Sequence, residues 1–125
     1  MVKVLMVFLG GGLGASLRYL ISVFSNKNFD YQFPVHTFGI NILGSFILGL
    51  ITALLIEKMN IDEHTKLFLT VGFTGGLTTF STFSLEAFTL FKEGNMLLSF
   101  IYIFASVFVC LISIYLGFWI AKYVG

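Results

Sequence analysis

Four long apolar stretches, joined by short polar segments, make up almost the whole chain. They cover residues 2–24, 34–57, 65–91 and 95–123. A helix crosses the hydrocarbon core of a bilayer with about 20 apolar residues, so each stretch is long enough to span it once. The pattern predicts an all-α membrane protein in which residues 1–125 form a single domain of four transmembrane helices. Because the connecting segments are short, consecutive helices are expected to run antiparallel.

The third apolar stretch contains a glycine-rich interruption followed by a dense run of hydroxyl side chains. This segment runs from Val71 to Ser84 and reads VGFTGGLTTFSTFS. Irregular backbone survives at membrane depth only where it is buried in protein or lines a wet cavity, since lipid offers no hydrogen-bonding partner. We therefore predict that the third transmembrane helix is broken mid-membrane, at a permeation or binding site.

Weakly polar side chains follow one face of the second and fourth stretches. In the second stretch, Thr37, Asn41 and Ser45 recur every four residues, with Gly44 on the same side. In the fourth stretch, the same kind of spacing joins Tyr102, Ser106, Cys110, Ser113 and Gly117. A single residue of this kind often only forms a hydrogen bond between two helices, and a single serine often bonds a carbonyl of its own helix. Together they indicate the walls of a pathway.

Two phenylalanines stand between the hydroxyls of the interrupted segment. Phe80 and Phe83 are three residues apart and share a helix face, with Thr79 and Thr82 beside them. The edge of an aromatic ring is electropositive. It can therefore face an anion without holding it so tightly that the anion cannot leave, which conduction requires.

The few charges indicate the sign of the solute. Only 10% of the residues are charged, 58% are hydrophobic and the mean hydropathy is +0.99, whereas a soluble domain carries about 25% charged residues. Within the spans and away from their ends, the ionisable residues are Arg18 and Glu86. Arg18 is either a snorkelling end residue or an anion-attracting vestibule, and Glu86 is either a structural partner or part of a vestibule. A pathway lined by amides, hydroxyls and ring edges, without carboxylates, suits a small anion.

Several function classes are excluded by the same inventory. The chain has 125 residues, which leaves no room for a soluble catalytic domain, and it contains no nucleophile–base arrangement or phosphate-binding loop. We therefore do not expect an enzyme. A net charge of +1 gives no reason to expect nucleic acid as a partner, and the lipid bilayer is the expected surrounding.

The loop charges leave the orientation in the membrane almost unbiased. With four spans, one side holds four lysines, and the other holds two lysines plus Arg18 if it snorkels outward. The positive-inside rule needs a clear excess to set orientation. One interpretation is that the single extra charge suffices. The other is that the chain inserts both ways and assembles as an antiparallel dimer.

Three motifs occur in order along the chain. The first is GGLGASLRY at 11–19, the second is TFGIN at 37–41 continuing to Gly49, and the third is GFTGGLTTFSTF at 72–83. Together they resemble the Fluc (CrcB) family of fluoride channels over essentially the whole chain. The match departs from the family pattern at His36, where a glycine is common, and at Cys110, where a serine is common.

The resemblance implies a passive, selective fluoride channel in the inner (plasma) membrane that exports fluoride and gives fluoride resistance. It also implies a dual-topology homodimer with two antiparallel pores. Phe80 and Phe83 match the family's paired ring-edge phenylalanines, and Asn41 matches its pore asparagine. A hydroxyl track is implied at Ser81, Thr82, Tyr102 and Ser106, beside Thr37 and Thr79. A central structural Na⁺ is implied at the backbone carbonyls of Gly75 and Thr78 from both subunits.

Two rival functions compete with this interpretation. A proton-coupled exporter of small cationic drugs is also short, four-spanned and often dual-topology, but it needs a membrane-embedded carboxylate in its first span. The first stretch here contains none. A non-transporting scaffold explains Gly44 and Gly49 as packing residues, but it leaves the run of threonine, serine and phenylalanine without a role.

Overall fold

The described part of the chain is entirely helical where it has regular structure. A computed structural model describes residues 1–28 and 32–124. Its elements in chain order are α1 (Val2–Asn28), α2 (Val35–Ile51) continued by a π-helical segment (Thr52–Lys58), α3 (Glu63–Leu67) continued by a second π-helical segment (Phe68–Thr74), α4 (Gly75–Leu77), α5 (Phe80–Lys92) and α6 (Met96–Val124). The predicted all-α class is confirmed.

Among the described residues, three helical units are long and apolar enough to cross a membrane. They are Val2–Asn26, Val35–Lys58 and Met96–Val124, which correspond to the first, second and fourth predicted spans. The third predicted span, residues 65–91, is not one helix, because Thr78 and Thr79 adopt extended backbone between α4 and α5. The interruption lies beyond the glycine-rich segment, since Gly75–Leu77 is itself helical.

The glycines before the interruption serve close packing against α1. A Cβ atom added at Gly10 would meet the backbone of Phe68 and Phe73, and one added at Gly14 would meet the backbone of Phe73 and Leu77. Gly76 in turn lies against the backbone of Gly11. Small residues let membrane helices approach this closely. These glycines therefore hold α1 against the segment that leads into the break.

Helices α2 and α6 pack face to face through their small and polar residues. Gly49 faces the backbone of Ile114, and Gly117 faces the backbone of Phe46. The inward face of α6 carries most of the predicted stripe, and its buried members include Tyr102, Ser106, Ser113 and Gly117. Hydroxyls of α6 are thereby directed towards α2 and α5 rather than towards lipid.

Candidate functional site

The break between α4 and α5 is held open by Asn41 of α2. The Thr79 N–H donates to Asn41 Oδ1 at 2.9 Å, and Asn41 Nδ2 donates to the Thr79 carbonyl at 3.1 Å. Thr79 also caps α5, because its Oγ1 accepts from the Thr82 N–H at 3.2 Å, as an N-cap threonine does. Asn41 thus satisfies both backbone groups of a residue that has left the helix.

Arg18 lies at the same break. Its Nε donates to the Gly76 carbonyl at 3.1 Å, across from α1. Two residues earlier, the Thr74 carbonyl accepts from both the N–H and the Oγ1 of Thr78 at 3.0 Å. The guanidinium therefore binds the backbone at the end of α4, where helix carbonyls lack partners, and it does not contact Glu86.

Beside the break lies a cavity of about 340 Å³ that opens to the molecular surface. We call it the break cavity. Its polar lining comprises Asn41, Ser45, Thr70, Thr74, Thr78, Thr79, Ser106 and Cys110. Phe80 and Phe83 add ring surface, and their centroids lie 5.5 Å apart. None of the described lining residues is an acid or a base apart from the weakly acidic thiol of Cys110.

Ser106 gives the break cavity a hydrogen-bond donor that is not in use. The residue is only 6% exposed, and its Oγ has no hydrogen-bond partner among the described residues. Buried hydroxyls are almost always bonded, so an exception on a cavity wall indicates a place for a ligand or water. The Oγ is itself buried, so the side chain has to turn towards the cavity before its proton can bind an occupant.

A second polar group gathers around Glu86 of α5, and we call it the Glu86 cluster. Thr37 Oγ1 donates to Glu86 Oε2 at 2.9 Å, and Tyr102 Oη donates to Glu86 Oε1 at 2.9 Å. His36 Nε2 lies 3.3 Å from Oε2. Thr37 is 1% exposed and Tyr102 is fully buried. The carboxylate thus already holds the two hydroxyls that the sequence placed on the pathway.

Aromatic rings surround the Glu86 cluster and connect it to the break cavity. Phe33 and Phe83 pack against the Tyr102 ring at centroid distances of 5.2 Å and 5.0 Å. Phe83 also lines the break cavity and is 8% exposed, whereas Phe80 is 76% exposed. Phe83 is therefore the residue shared by both sites, and Phe80 projects from the surface of the single chain.

Most of the predicted site residues fall into two groups, and three residues lie outside both. Those on the break cavity are Gly75, Asn41, Thr78, Thr79, Phe80, Phe83 and Ser106. Those in the Glu86 cluster are Thr37, Glu86 and Tyr102. Ser81 and Thr82 do not line the cavity; the Ser81 hydroxyl lies 3.4 Å from that of Thr79. Arg18 stands apart at the Gly76 carbonyl.

Sequence reasoning missed the contact of His36 with Glu86. From the sequence, His36 stands out only as a departure from a family pattern, and Glu86 is either a structural partner or part of a vestibule. The available signal was positional: Glu86 follows Phe83 by one helical turn, and His36 directly precedes Thr37 on α2. The sequence positions alone do not show how α2 and α5 are rotated towards each other.

Long apolar helices, a broken helix and a polar cavity at the break define a helical membrane protein in which irregular backbone lines a cavity. The sequence profile of the family described as CrcB-like protein, Camphor Resistance (CrcB), matches residues 5–118. The chain belongs to this CrcB family.

Several similar proteins bear the name fluoride-specific ion channel FluC. The protein from Clostridium perfringens (strain 13 / Type A) is 53% identical over 94 residues, which cover 75% of this chain and 73% of that protein. The one from Ruminiclostridium cellulolyticum is 45% identical over 122 residues, which cover 98% and 94%. The one from Pyrococcus abyssi is 43% identical over 118 residues, which cover 94% of each.

Proposed function

We propose that this protein is a fluoride channel that conducts passively and is not an enzyme. The single observation that carries the proposal is the unpartnered Ser106 hydroxyl on a cavity without carboxylates. The names of the similar proteins support the same ion. A small, strongly hydrated anion needs donors that replace its water, and a free hydroxyl provides one without first losing another bond.

The break cavity supplies further donors of the same kind. Asn41 has two amide N–H groups, of which one binds the Thr79 carbonyl and the other is available to an anion. The rings of Phe80 and Phe83 present electropositive edges. Fluoride would pass from these groups to the Glu86 cluster by way of Phe83, where Thr37 and Tyr102 must release the carboxylate to bind it.

Flow needs no fuel. A membrane potential of about 100 mV contributes about 2.3 kcal/mol per elementary charge, which corresponds to a roughly 50-fold lower anion concentration on the negative side. In the inner (plasma) membrane of a cell that is negative inside, such a channel exports fluoride and confers fluoride resistance. We place the protein there as a multi-pass membrane protein with four spans.

The working unit of this proposal is an antiparallel homodimer with two pores. Two features of the single chain support it: the break cavity opens to the surface, and Phe80 projects from that surface with 76% of its area exposed. A second copy can close the cavity and cover the ring. The nearly balanced loop charges allow insertion in both orientations, which an antiparallel pair requires.

A structural Na⁺ at the dimer centre is part of the proposal. Its ligands would be the carbonyls of Gly75 and Thr78, and Gly75 is exposed on the single chain. These residues fit, because carbonyls at the end of a helix carry partial negative charge and Arg18 occupies the Gly76 carbonyl between them. When bound, the ion would hold the two breaks together.

The test is fluoride efflux from proteoliposomes, followed with a fluoride electrode and compared with chloride. We expect fast fluoride efflux, no chloride efflux, and a loss of about tenfold or more in Ser106→Ala, because a hydrogen bond to a charged group contributes about 1.5–3 kcal/mol. Ser113→Ala is the matched control, since Ser113 is buried on the same face of α6 but does not line the cavity. Liposomes no faster than protein-free ones, or equal rates for the two variants, would refute the proposal.

A further inference from the structure

The break leaves specific backbone carbonyls without the donors that a continuous helix would give them. In an α-helix the N–H of each residue bonds the carbonyl four residues earlier. A helix running through the break would therefore pair the Thr79 N–H with Gly75, and the Thr82 N–H with Thr78. Neither pairing is made here, because both N–H groups bond to side chains.

Asn41 is responsible for the first of these changes. Its Oδ1 accepts the Thr79 N–H at 2.9 Å, and its Nδ2 fixes the same peptide group by donating to the Thr79 carbonyl at 3.1 Å. Thr79 is thereby held in extended backbone, with φ −150° and ψ 125°. The Gly75 carbonyl loses its helical donor and keeps its lone pairs for another partner.

Thr79 is responsible for the second change. Its Oγ1 accepts the Thr82 N–H at 3.2 Å, so that N–H cannot bond the Thr78 carbonyl. Two neighbouring carbonyls are engaged: that of Gly76 accepts from Arg18, and that of Thr74 accepts from Thr78. The two carbonyls released by side chains are thus the two assigned to Na⁺.

We propose that Asn41 and Thr79 are positioning residues for the sodium seat, by which we mean the Na⁺ site at the carbonyls of Gly75 and Thr78. Each side chain accepts the N–H that would otherwise bond one of these carbonyls, and so keeps that carbonyl free. This rests on the proposed function, because the seat itself belongs to that proposal. It gives Asn41 a second role beside the pathway, because the side chain that holds the helix open also leaves a carbonyl for the cation.

The experiment measures thermal unfolding of the purified full-length protein while Na⁺ replaces N-methylglucamine at constant ionic strength. A cation that binds only the folded state raises Tm in a concentration-dependent way. We expect Asn41→Ala and Thr79→Val each to raise the Na⁺ concentration for half-maximal stabilisation at least tenfold. Asn41→Asp still accepts the Thr79 N–H but, when ionised, no longer donates to the Thr79 carbonyl, so its half-maximal Na⁺ concentration should lie between those of the unmodified protein and Asn41→Ala.

Thr89→Val is the control for Thr79→Val, since Thr89 lies on the same helix and its hydroxyl bonds only its own helix at the Leu85 carbonyl. A purely structural role would lower Tm equally with and without Na⁺ and leave the midpoint unchanged, and that result in both variants overturns the inference. Asn41→Ala and Thr79→Val act on different carbonyls, so if one of these two variants fails to fold, the other still tests the inference. An unmodified protein that does not respond to Na⁺ removes the seat and the inference together, while fluoride efflux still decides the channel.

Discussion

The break cavity and the Glu86 cluster hold hydroxyl groups in opposite states. In the cavity, Ser106 is buried with its oxygen unpartnered. In the cluster, Thr37 and Tyr102 are buried with their hydroxyls donated to Glu86. The two sites are neighbours, because Phe83 lines the cavity and packs 5.0 Å from the Tyr102 ring.

This difference separates groups that can receive an anion from groups that must first be released. A free donor gains a charge-assisted bond, whereas a donor already bonded to a carboxylate exchanges one strong bond for another. We infer that the cavity determines how well fluoride is bound and that the Glu86 cluster determines how easily it moves on. Variants in the two regions should therefore fail in different ways.

The largest effect is expected at Phe83, because it belongs to both regions. Phe83→Ile should reduce fluoride efflux by about two orders of magnitude, the factor that corresponds to a loss of about 3 kcal/mol, since it removes the ring edge from the cavity and from Tyr102. Phe88→Ile is the control, because Phe88 lies on the same helix with 61% of its area exposed. Equal efflux rates for the two variants would show that the sites are not joined through this ring.

A smaller effect on transport, with a larger one on stability, is expected at Thr37. Thr37→Val preserves the shape and removes the donor, so one oxygen of Glu86 loses a partner at a cost of about 1–3 kcal/mol. We expect a lower Tm and an efflux loss of no more than about threefold. Ser106→Ala, in contrast, should lose about tenfold or more of its efflux. Tm and efflux measured on both variants test this. If Thr37→Val slows efflux more than Ser106→Ala does, the distinction between free and bonded donors is wrong.

Much of the fold could be predicted because membrane-spanning length and apolar character are local properties. The helices that begin at Val2, Val35 and Met96 follow directly from hydropathy. An interruption in the third stretch could also be predicted from its glycines and hydroxyls. Its position at Thr78 and Thr79 could not, because it depends on Asn41, a residue 38 positions earlier in the chain.

The site was predictable as a list of residues more than as an arrangement. Periodicity places Tyr102 and Ser106 on one helix face, and both are buried there. It does not show that one bonds a carboxylate and the other bonds nothing. That distinction depends on how α5 and α6 are rotated against α2, which is a property of the packed protein rather than of any single helix.

The smallest effect is expected at His36, on the edge of the Glu86 cluster. His36 Nε2 lies 3.3 Å from Glu86 Oε2 at a partly exposed position, whereas Thr37 donates to the same oxygen at 2.9 Å and is buried. A partly exposed pair contributes at most about 1 kcal/mol and often nothing measurable. His36→Gly should therefore change fluoride efflux by less than about twofold, measured as protein-mediated efflux after subtraction of protein-free liposomes. A larger loss of efflux in His36→Gly than in Thr37→Val would show that His36, rather than the Thr37 hydroxyl, controls how fluoride leaves the Glu86 cluster.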